Sequence, residues 1–300
     1  MRFQPLHFSW VALPPRPKAV VVFIGGAFFG TYPTFFYRGF LRVLYDHGYA
    51  VVALPFRFTF RHWDIALSVS IGLAELKKEV SALLESAASD QGLPEQNTKT
   101  SLPYLWVAHS LGCKYVALLE LLSESEDMGS LRAIKEAFAE VDPRQLKELL
   151  AKLAMVDAEQ LSLRNQPQLL VDPVIASLDA AIPWKPLETI FAPLLKVIPS
   201  RETTFRLIDQ STLFSLTKIF SLQSKTAHDT IERLKQVVRK PPLQPIETVQ
   251  VKLARSKPPL GAHLAILGFN STDAAIAETI TTALAVAEEE AWIRQCGTPG

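Results

Sequence analysis

The sequence predicts an α/β fold, a doubly wound and mostly parallel sheet with helices on both faces and a helical insertion or cap. Short apolar runs alternate with segments at helical spacing, an order that builds right-handed βαβ units. Runs such as Lys18–Ile24 and Tyr49–Pro55 are apolar except for Lys18 at the start of the first, which is typical of strands buried on both faces. The 300 residues are enough for one such domain, and we expect a single domain over residues 1–300.

The strand predictions rest on apolar runs that end at turn residues such as glycine, proline or aspartate. In chain order they are Leu6–Leu13, Lys18–Ile24, Tyr49–Pro55, Tyr104–Val107, Pro167–Asp172, Leu216–Leu222 and Thr248–Leu253. The second of them runs into Gly25–Gly30, a segment whose glycines let the backbone approach a ligand closely.

The helix predictions rest on apolar residues spaced three and four apart, between typical start and stop residues. Asp64 and Ser200 are of types favoured at a helix N-cap, and Gly48 is a stop residue. In chain order the helices are expected at Thr34–Gly48, Asp64–Ala88, Tyr115–Leu122, Ser200–Gln210, Thr230–Val238 and Thr272–Arg294.

A serine lies between the strand at Tyr104–Val107 and the helix that follows it. The sequence Ala-His-Ser-Leu-Gly at 108–112 has small residues two positions before and two after Ser110. A sharp strand–turn–helix connection needs that spacing, because larger side chains would collide there, and it presents the serine hydroxyl as a nucleophile. The N–H of Leu111, at the start of the helix, would supply half of an oxyanion hole.

Two segments interrupt the alternation. Residues 123–165 are charged, rich in leucine and amphipathic, which predicts a helical insertion packed on the domain, or alternatively a lid or a homodimer contact. Residues 175–199 are rich in proline and large apolar residues, and they are expected to form an apolar cap over the carboxyl edge of the sheet. The alternative for this second segment is an amphipathic helix buried against the core.

A serine nucleophile needs a base, and that base should follow the last strand of the sheet. Of the six histidines only His263 has that position. His109 is next to the serine, but on such a turn its side chain points away, so we expect it to pack or to form a hydrogen bond.

Two aspartates are candidates for the acid that orients the base. Asp229 follows the penultimate strand and precedes a helix, whereas Asp172 ends the strand before that. Both follow the carboxyl ends of strands, where the sites of open parallel sheets lie. Asp229 is preferred because the order serine, acid, histidine with the acid after the penultimate strand is the usual one; Asp172 remains the alternative acid.

Composition excludes several classes of function. Lys and Arg number 31 against 30 Asp and Glu, so no strong charge favours nucleic acid or an anionic membrane. Cys113 and Cys296 are too few for a disulfide framework and lack metal-ligand spacing, so neither a metal nor a cofactor is expected. We see no signal peptide and no apolar run long enough for an integral membrane segment, which predicts a cytoplasmic location.

The chain resembles the α/β-hydrolases over about residues 6–290. The resemblance rests on VVVFIGGAFFG, VAHSLGCK, SKTAHDT and GAHL. HSLGCK, IGGAFFG and SRETTFRLI are also similar to an uncharacterised α/β-hydrolase-like family of cyanobacteria and plastids. Ala108 stands where the strand–turn–helix connection at the serine most commonly has glycine.

The resemblance implies Ser110, Asp229 and His263 as a catalytic triad. It also implies that the N–H of Ala27, or of Phe28, joins that of Leu111 in the oxyanion hole.

The function that these residues indicate is a serine hydrolase acting on a carboxylic ester or thioester, in which the substrate is a small molecule or is lipid-like. Aromatic residues near the expected mouth favour an apolar acyl part. Those assigned to the substrate pocket are Phe29, Trp63, Trp184 and Phe191. The alternative is a non-catalytic α/β-hydrolase-fold protein that binds a ligand or acts as a scaffold.

Overall fold

The computed structural model of the chain describes a defined set of residues. These are 1–90, 102–123, 138–153, 163, 165–175, 196–211, 214, 217–240, 244–245, 247–251, 259–268 and 274–296. Most of the predicted cap, with Trp184 and Phe191, lies outside the described residues, as does much of the predicted insertion at 123–165.

The described strands form an eight-stranded sheet and a small hairpin. The strands are β1 (Gln4–Leu6), β2 (Ser9–Ala12), β3 (Ala19–Ile24), β4 (Tyr49–Leu54), β5 (Tyr104–His109), β6 (Gln168–Val171), β7 (Thr217–Ser221), β8 (Arg239–Lys240), β9 (Gln244–Pro245) and β10 (Glu247–Gln250). The large sheet has the order β1-β2-β4-β3-β5-β6-β7-β10, and β8 pairs with β9. From β4 to β10 all neighbours are parallel, while β2 is antiparallel to both β1 and β4.

Helices cover both faces of this sheet. They are α1 (Pro33–Phe36), α2 (Arg38–Asp46), α3 (His62–Asp90), α4 (Leu111–Ser123), α5 (Pro143–Leu153), α6 (Arg201–Gln210), α7 (Lys225–Val237), α8 (Pro259–His263) and α9 (Ala274–Ala291). The apolar residues of α3, α4, α6 and α7 belong to one core cluster, and those of α2 and α9 to the other.

Strand β3 shows why the sheet is buried on both faces. All six of its residues are buried. Val20 and Val22 pack into the core under α3 and α4, whereas Val21 and Phe23 pack into the core under α2 and α9. Successive strand residues point to opposite faces, so an unbroken apolar run supplies two cores at once.

The predicted fold class is confirmed, and six of the seven predicted strands are present with ends shifted by only a few residues. The predicted strand Leu6–Leu13 is wrong as a single strand, because a turn at His7 and Phe8 divides this region into β1 and β2, which pair antiparallel.

One helix boundary differs in a way that matters for the site. Helix α7 begins at Lys225, because the Ser224 side chain accepts the backbone N–H of Ala227 as an N-cap. The sequence pattern predicted a loop as far as Asp229, whereas that residue lies inside the helix.

Gly112, in the first turn of α4, lets this helix approach the end of β3 very closely. A Cβ atom at position 112 would lie within 3.0 Å of the carbonyl oxygens of Ile24 and Gly25. Both of those atoms are backbone, so neither can rotate away. Only glycine fits this contact without moving the helix or the strand.

We therefore expect Gly112→Ala to destabilise the fold. Overpacking of this kind lowers the free energy of unfolding by about 1 to 3 kcal/mol. Urea denaturation followed by circular dichroism measures the change. Gly39→Ala, within helix α2, is the control, because alanine is the better helix former there. Equal stability of the Gly112→Ala variant and the wild type would contradict the packing argument.

Candidate active site

Ser110 occupies a tight turn between β5 and α4. Its backbone φ is +56°, a left-handed value that is uncommon for residues other than glycine. The Ser110 N–H donates to the Val171 carbonyl at 3.1 Å, and the Ser110 carbonyl accepts from Cys113 and Val174, each at 3.1 Å. These bonds on both sides of the peptide hold the strained residue in place.

The glycine segment after β3 passes directly beside this serine. A Cβ atom on Gly26 would lie 2.9 Å from the Ser110 Cβ and 3.3 Å from its Oγ. Glycine at position 26 is therefore required for this approach. It brings the backbone of the following residue, Ala27, to the edge of the sheet where the hydroxyl lies.

His263 lies at the end of α8 and reaches the serine. Its Nε2 is 2.9 Å from Ser110 Oγ, and its Nδ1 is 2.6 Å from Asp172 Oδ2. Asp172 is fully buried, and His263 is only 5% exposed. A hydroxyl, an imidazole and a carboxylate thus form one hydrogen-bonded series in which the histidine can exchange a proton with the serine.

Strand β7 and the residues after it hold the Asp172 carboxylate. Oδ1 accepts the backbone N–H of Leu222 at 3.0 Å, and Oδ2 accepts the Ser224 hydroxyl. The Asp172 N–H donates to the Phe220 carbonyl at 2.7 Å. The sequence predicted an acid after the penultimate strand; this strand and the residues after it instead supply groups that bind the acid.

Asp229, the preferred acid of the sequence analysis, is not beside His263. It is exposed on helix α7, in the second turn. The N-cap at Ser224 starts the helix early and carries Asp229 away from the edge of the sheet. Of the two candidates, the structure brings the alternative, Asp172, to the histidine.

His109 points away from Ser110 and forms hydrogen bonds, as the sequence predicted. Its Nδ1 lies 2.9 Å from Tyr37 Oη, and its Nε2 lies 3.0 Å from the His263 carbonyl oxygen. Burial, together with the neighbouring His263, lowers the pKa of His109 well below its ordinary value. Burial also raises the pKa of Tyr37, so its hydroxyl keeps its proton. Sequence reasoning missed Tyr37, since nothing local in the sequence links it to His109.

The expected oxyanion donors have free N–H groups within the part of the chain that the structure describes. Neither Ala27 nor Leu111 donates to any acceptor there, and Leu111 begins helix α4, where the first N–H groups have no partner in the helix. The Gly26 N–H, in contrast, donates to Tyr37 Oη at 2.6 Å. Phe28 has a φ of +59° in the same segment.

Of the four aromatic residues that the sequence assigned to a substrate pocket, Trp63 and Phe29 are described, and they pack on opposite faces of the sheet. Trp63 is 2% exposed and packs edge-to-face on Phe138 in the core, so it does not line an open pocket. Phe29 packs on Phe36 against the core of the opposite face. Phe28 is 52% exposed and stacks on Phe58 with ring centroids 4.4 Å apart, which makes this pair the apolar surface next to the glycine segment.

A sheet of this strand order, with a strained serine between a central strand and a helix, is the arrangement of the α/β-hydrolases. Residues 2–162, more than half of the chain, match the family described as "Protein of unknown function (DUF1350)". The chain belongs to this family. The resemblance to an uncharacterised α/β-hydrolase-like family is thereby confirmed.

Solved structures that the DUF1350 chain resembles include several esterases. The esterase domain of a Rhodothermus marinus protein matches over 92% of this chain and 91% of its own, at 17% identity and a TM-score of 0.44. An esterase of Thermogutta terrifontis matches over 94% and 86%, at 14% identity and a TM-score of 0.42. An esterase of Rhizomucor miehei matches over 96% and 84%, at 8% identity and a TM-score of 0.49. No curated protein matches the sequence.

The described part of the DUF1350 chain contains no helix with the length and apolar character needed to cross a bilayer. The Cys113 thiol, three residues after the serine, is buried, and burial raises its pKa well above the ordinary value. A thiol in that state is a poor nucleophile.

Helix α4 also carries a fully buried lysine one turn after the serine. Lys114 Nζ donates to the Pro199 carbonyl at 2.7 Å, and the side chain has no solvent exposure. Burial lowers the pKa of Lys114 to about 7, while Glu140 and Glu202 act in the opposite direction. Much of this amine is therefore neutral in the folded chain at pH values where it is charged in the unfolded chain.

This difference predicts how stability depends on pH. Between pH 7 and the ordinary value of 10.5, the unfolded chain binds more protons at Lys114 than the folded chain, so stability rises with pH. The free energy of unfolding of the wild type, minus that of Lys114→Met, should increase by up to about 1.4 kcal/mol per pH unit across this window. Urea titrations from pH 7 to 10 measure it.

Lys78→Met is the control for this measurement, because the Lys78 side chain is 67% exposed. Its difference from the wild type should stay flat over the same pH range. A flat difference for Lys114→Met as well would mean that Lys114 keeps its ordinary proton affinity in the folded chain.

Proposed function

We propose that the protein is a serine hydrolase that cleaves a carboxylic ester or thioester. The observation that carries the proposal is the series from Ser110 Oγ through the His263 imidazole to the Asp172 carboxylate, with distances of 2.9 and 2.6 Å. A nucleophile, a base and an acid in contact, on a strained turn, are the requirements for covalent catalysis by serine.

In this proposal Ser110 Oγ attacks the substrate carbonyl carbon while His263 Nε2 accepts the hydroxyl proton. The resulting imidazolium then gives that proton to the leaving alcohol or thiol, which leaves an acyl group on the serine. Water, deprotonated by the same nitrogen, hydrolyses the acyl-enzyme. Asp172 accepts a hydrogen bond from the Nδ1–H group throughout, which holds the proton on Nδ1 and so keeps Nε2 free to act as the base.

The negative charge that develops on the substrate's carbonyl oxygen in the tetrahedral intermediate needs hydrogen-bond donors. The N–H groups of Ala27 and Leu111 are assigned this role, because both are free and both flank the serine. Each N–H of such a hole typically contributes about 3 to 4 kcal/mol to stabilising the transition state. The Gly26 N–H is excluded from the role by its bond to Tyr37.

The acyl part of the substrate is proposed to be apolar. Support comes from the exposed face of Phe28, which is stacked on Phe58 and directly follows Ala27 in the chain. A group that extends from the carbonyl along this segment would lie against aromatic carbon rather than charge. A lipid-like ester and a smaller acyl ester both satisfy this requirement.

A fluorophosphonate probe and a series of p-nitrophenyl esters test the proposal. The wild type should bind the probe covalently and hydrolyse the esters, and Ser110→Ala should lose both, with its melting temperature retained. Wild-type protein that is folded yet neither reacts with the probe nor cleaves any ester or thioester in the series would favour a non-catalytic binding protein instead.

The identity of the acid gives a second prediction. Asp172→Asn should lower kcat by orders of magnitude, since an amide at this position favours the wrong tautomer of His263. Asp229→Asn is the matched control, because that carboxylate is exposed on α7 and should leave kcat unchanged. Steady-state kinetics on one ester rank the two variants, and the reverse order would return the acid role to Asp229.

A further inference from the structure

A buried chain of hydrogen bonds connects the glycine segment to the backbone of the base. The Gly26 N–H donates to Tyr37 Oη at 2.6 Å, Tyr37 Oη lies 2.9 Å from His109 Nδ1, and His109 Nε2 lies 3.0 Å from the His263 carbonyl. Tyr37 has no exposed surface, and His109 is only 1% exposed. None of these groups belongs to the Ser110–His263–Asp172 series itself.

The chemistry of the two ends fixes every proton in this chain. The His263 carbonyl can only accept, so His109 must carry its proton on Nε2 and accept through Nδ1. The hydroxyl of Tyr37 therefore donates to Nδ1 and accepts from the Gly26 N–H. Each polar atom is therefore either a donor or an acceptor, and the series of hydrogen bonds is complete only while His109 is neutral.

Both ends of the chain are next to proposed catalytic groups. Gly26 directly precedes Ala27, the proposed oxyanion donor, and its Cα is packed against the Ser110 side chain. The other end is the backbone of His263, whose ring bonds Ser110 Oγ. These hydrogen bonds thus connect two segments, one after β3 and one in α8. The N–H of Ala27 in the first and the ring of His263 in the second must face the same substrate carbonyl.

We propose that Tyr37 and His109 are positioning residues that set the distance between the oxyanion donor Ala27 and the base His263. This inference rests on the proposed hydrolase function. It assigns both residues an effect on turnover, although neither of them touches the substrate. Small misplacements of catalytic groups lower rates steeply, because the reacting atoms must meet in one geometry.

Tyr37→Phe is the first test, because it removes only the oxygen atom that joins the Gly26 N–H to His109. We expect kcat to fall by about 10- to 100-fold, the scale that misplacement of catalytic groups produces, with KM little changed. The rate is calculated per active site, counted by the fraction of protein that the fluorophosphonate probe finally labels. Tyr49→Phe is the matched control: it also removes a buried tyrosine hydroxyl that forms a hydrogen bond, here to Glu288 at 3.2 Å, and its kcat should match the wild type.

Two variants of His109 add a test by conservative rescue. His109→Leu fills the buried space with an apolar side chain but removes both hydrogen bonds, and it should reduce kcat as Tyr37→Phe does. His109→Gln offers one acceptor and one donor, and should recover a large part of the lost rate. The double variant Tyr37→Phe/His109→Leu should be no slower than His109→Leu alone, because both substitutions break one chain.

The outcomes separate this inference from the function on which it rests. If Tyr37→Phe and His109→Leu lose melting temperature but keep the wild-type kcat per labelled site, the two residues only stabilise the fold and the inference is wrong. Equal activity of His109→Gln and His109→Leu would also contradict it. If the folded wild type shows neither labelling nor hydrolysis, the hydrolase proposal itself fails, and the positioning role fails with it.

Discussion

The packing of helix α4 against the end of strand β3 is the contact on which the site depends. Gly112 permits it, because the carbonyl oxygens of Ile24 and Gly25 occupy the space where a side chain would be. This contact brings the first turn of α4 next to the glycine segment. Ser110, Leu111 and Ala27 are thereby brought to one edge of the sheet before any side chain of the site is considered.

Among the described residues, four of the six non-glycine residues with a positive φ lie at that same edge. Phe28, Ser110, Asp172 and Gln223 all have positive φ values, and they follow the carboxyl ends of β3, β5, β6 and β7. Parallel strands end side by side, so sharp turns after each of them direct different residues to a common point. The hydrogen bonds around Ser110 and Asp172 hold these conformations, which isolated peptides would rarely adopt.

The fold could be predicted from the sequence because its cues are local. Unbroken apolar runs such as β3 and β4 fix the strands, and the serine turn is contained in five consecutive residues. His263 could be selected by its place after the last strand. These predictions need only the order of elements and the direction of parallel strands.

The acid could not be chosen in the same way, since both aspartates follow parallel strands. What decides between them is whether the helix after β7 starts at Lys225 or at Thr230, and that depends on Ser224, which caps the helix and also bonds Asp172. The Tyr37–His109 pair was equally inaccessible, because residues 72 positions apart meet only through the tertiary fold.

The bond from His109 ends on the main chain of His263 and not on its ring. Asp172 likewise has two partners besides the imidazole, the backbone N–H of Leu222 and the hydroxyl of Ser224. The supports on either side of the ring are therefore independent of the ring itself. A protein in which residue 263 has lost its side chain would therefore keep the partners of the missing ring, Asp172 and Ser110, on the two sides of a space of imidazole size.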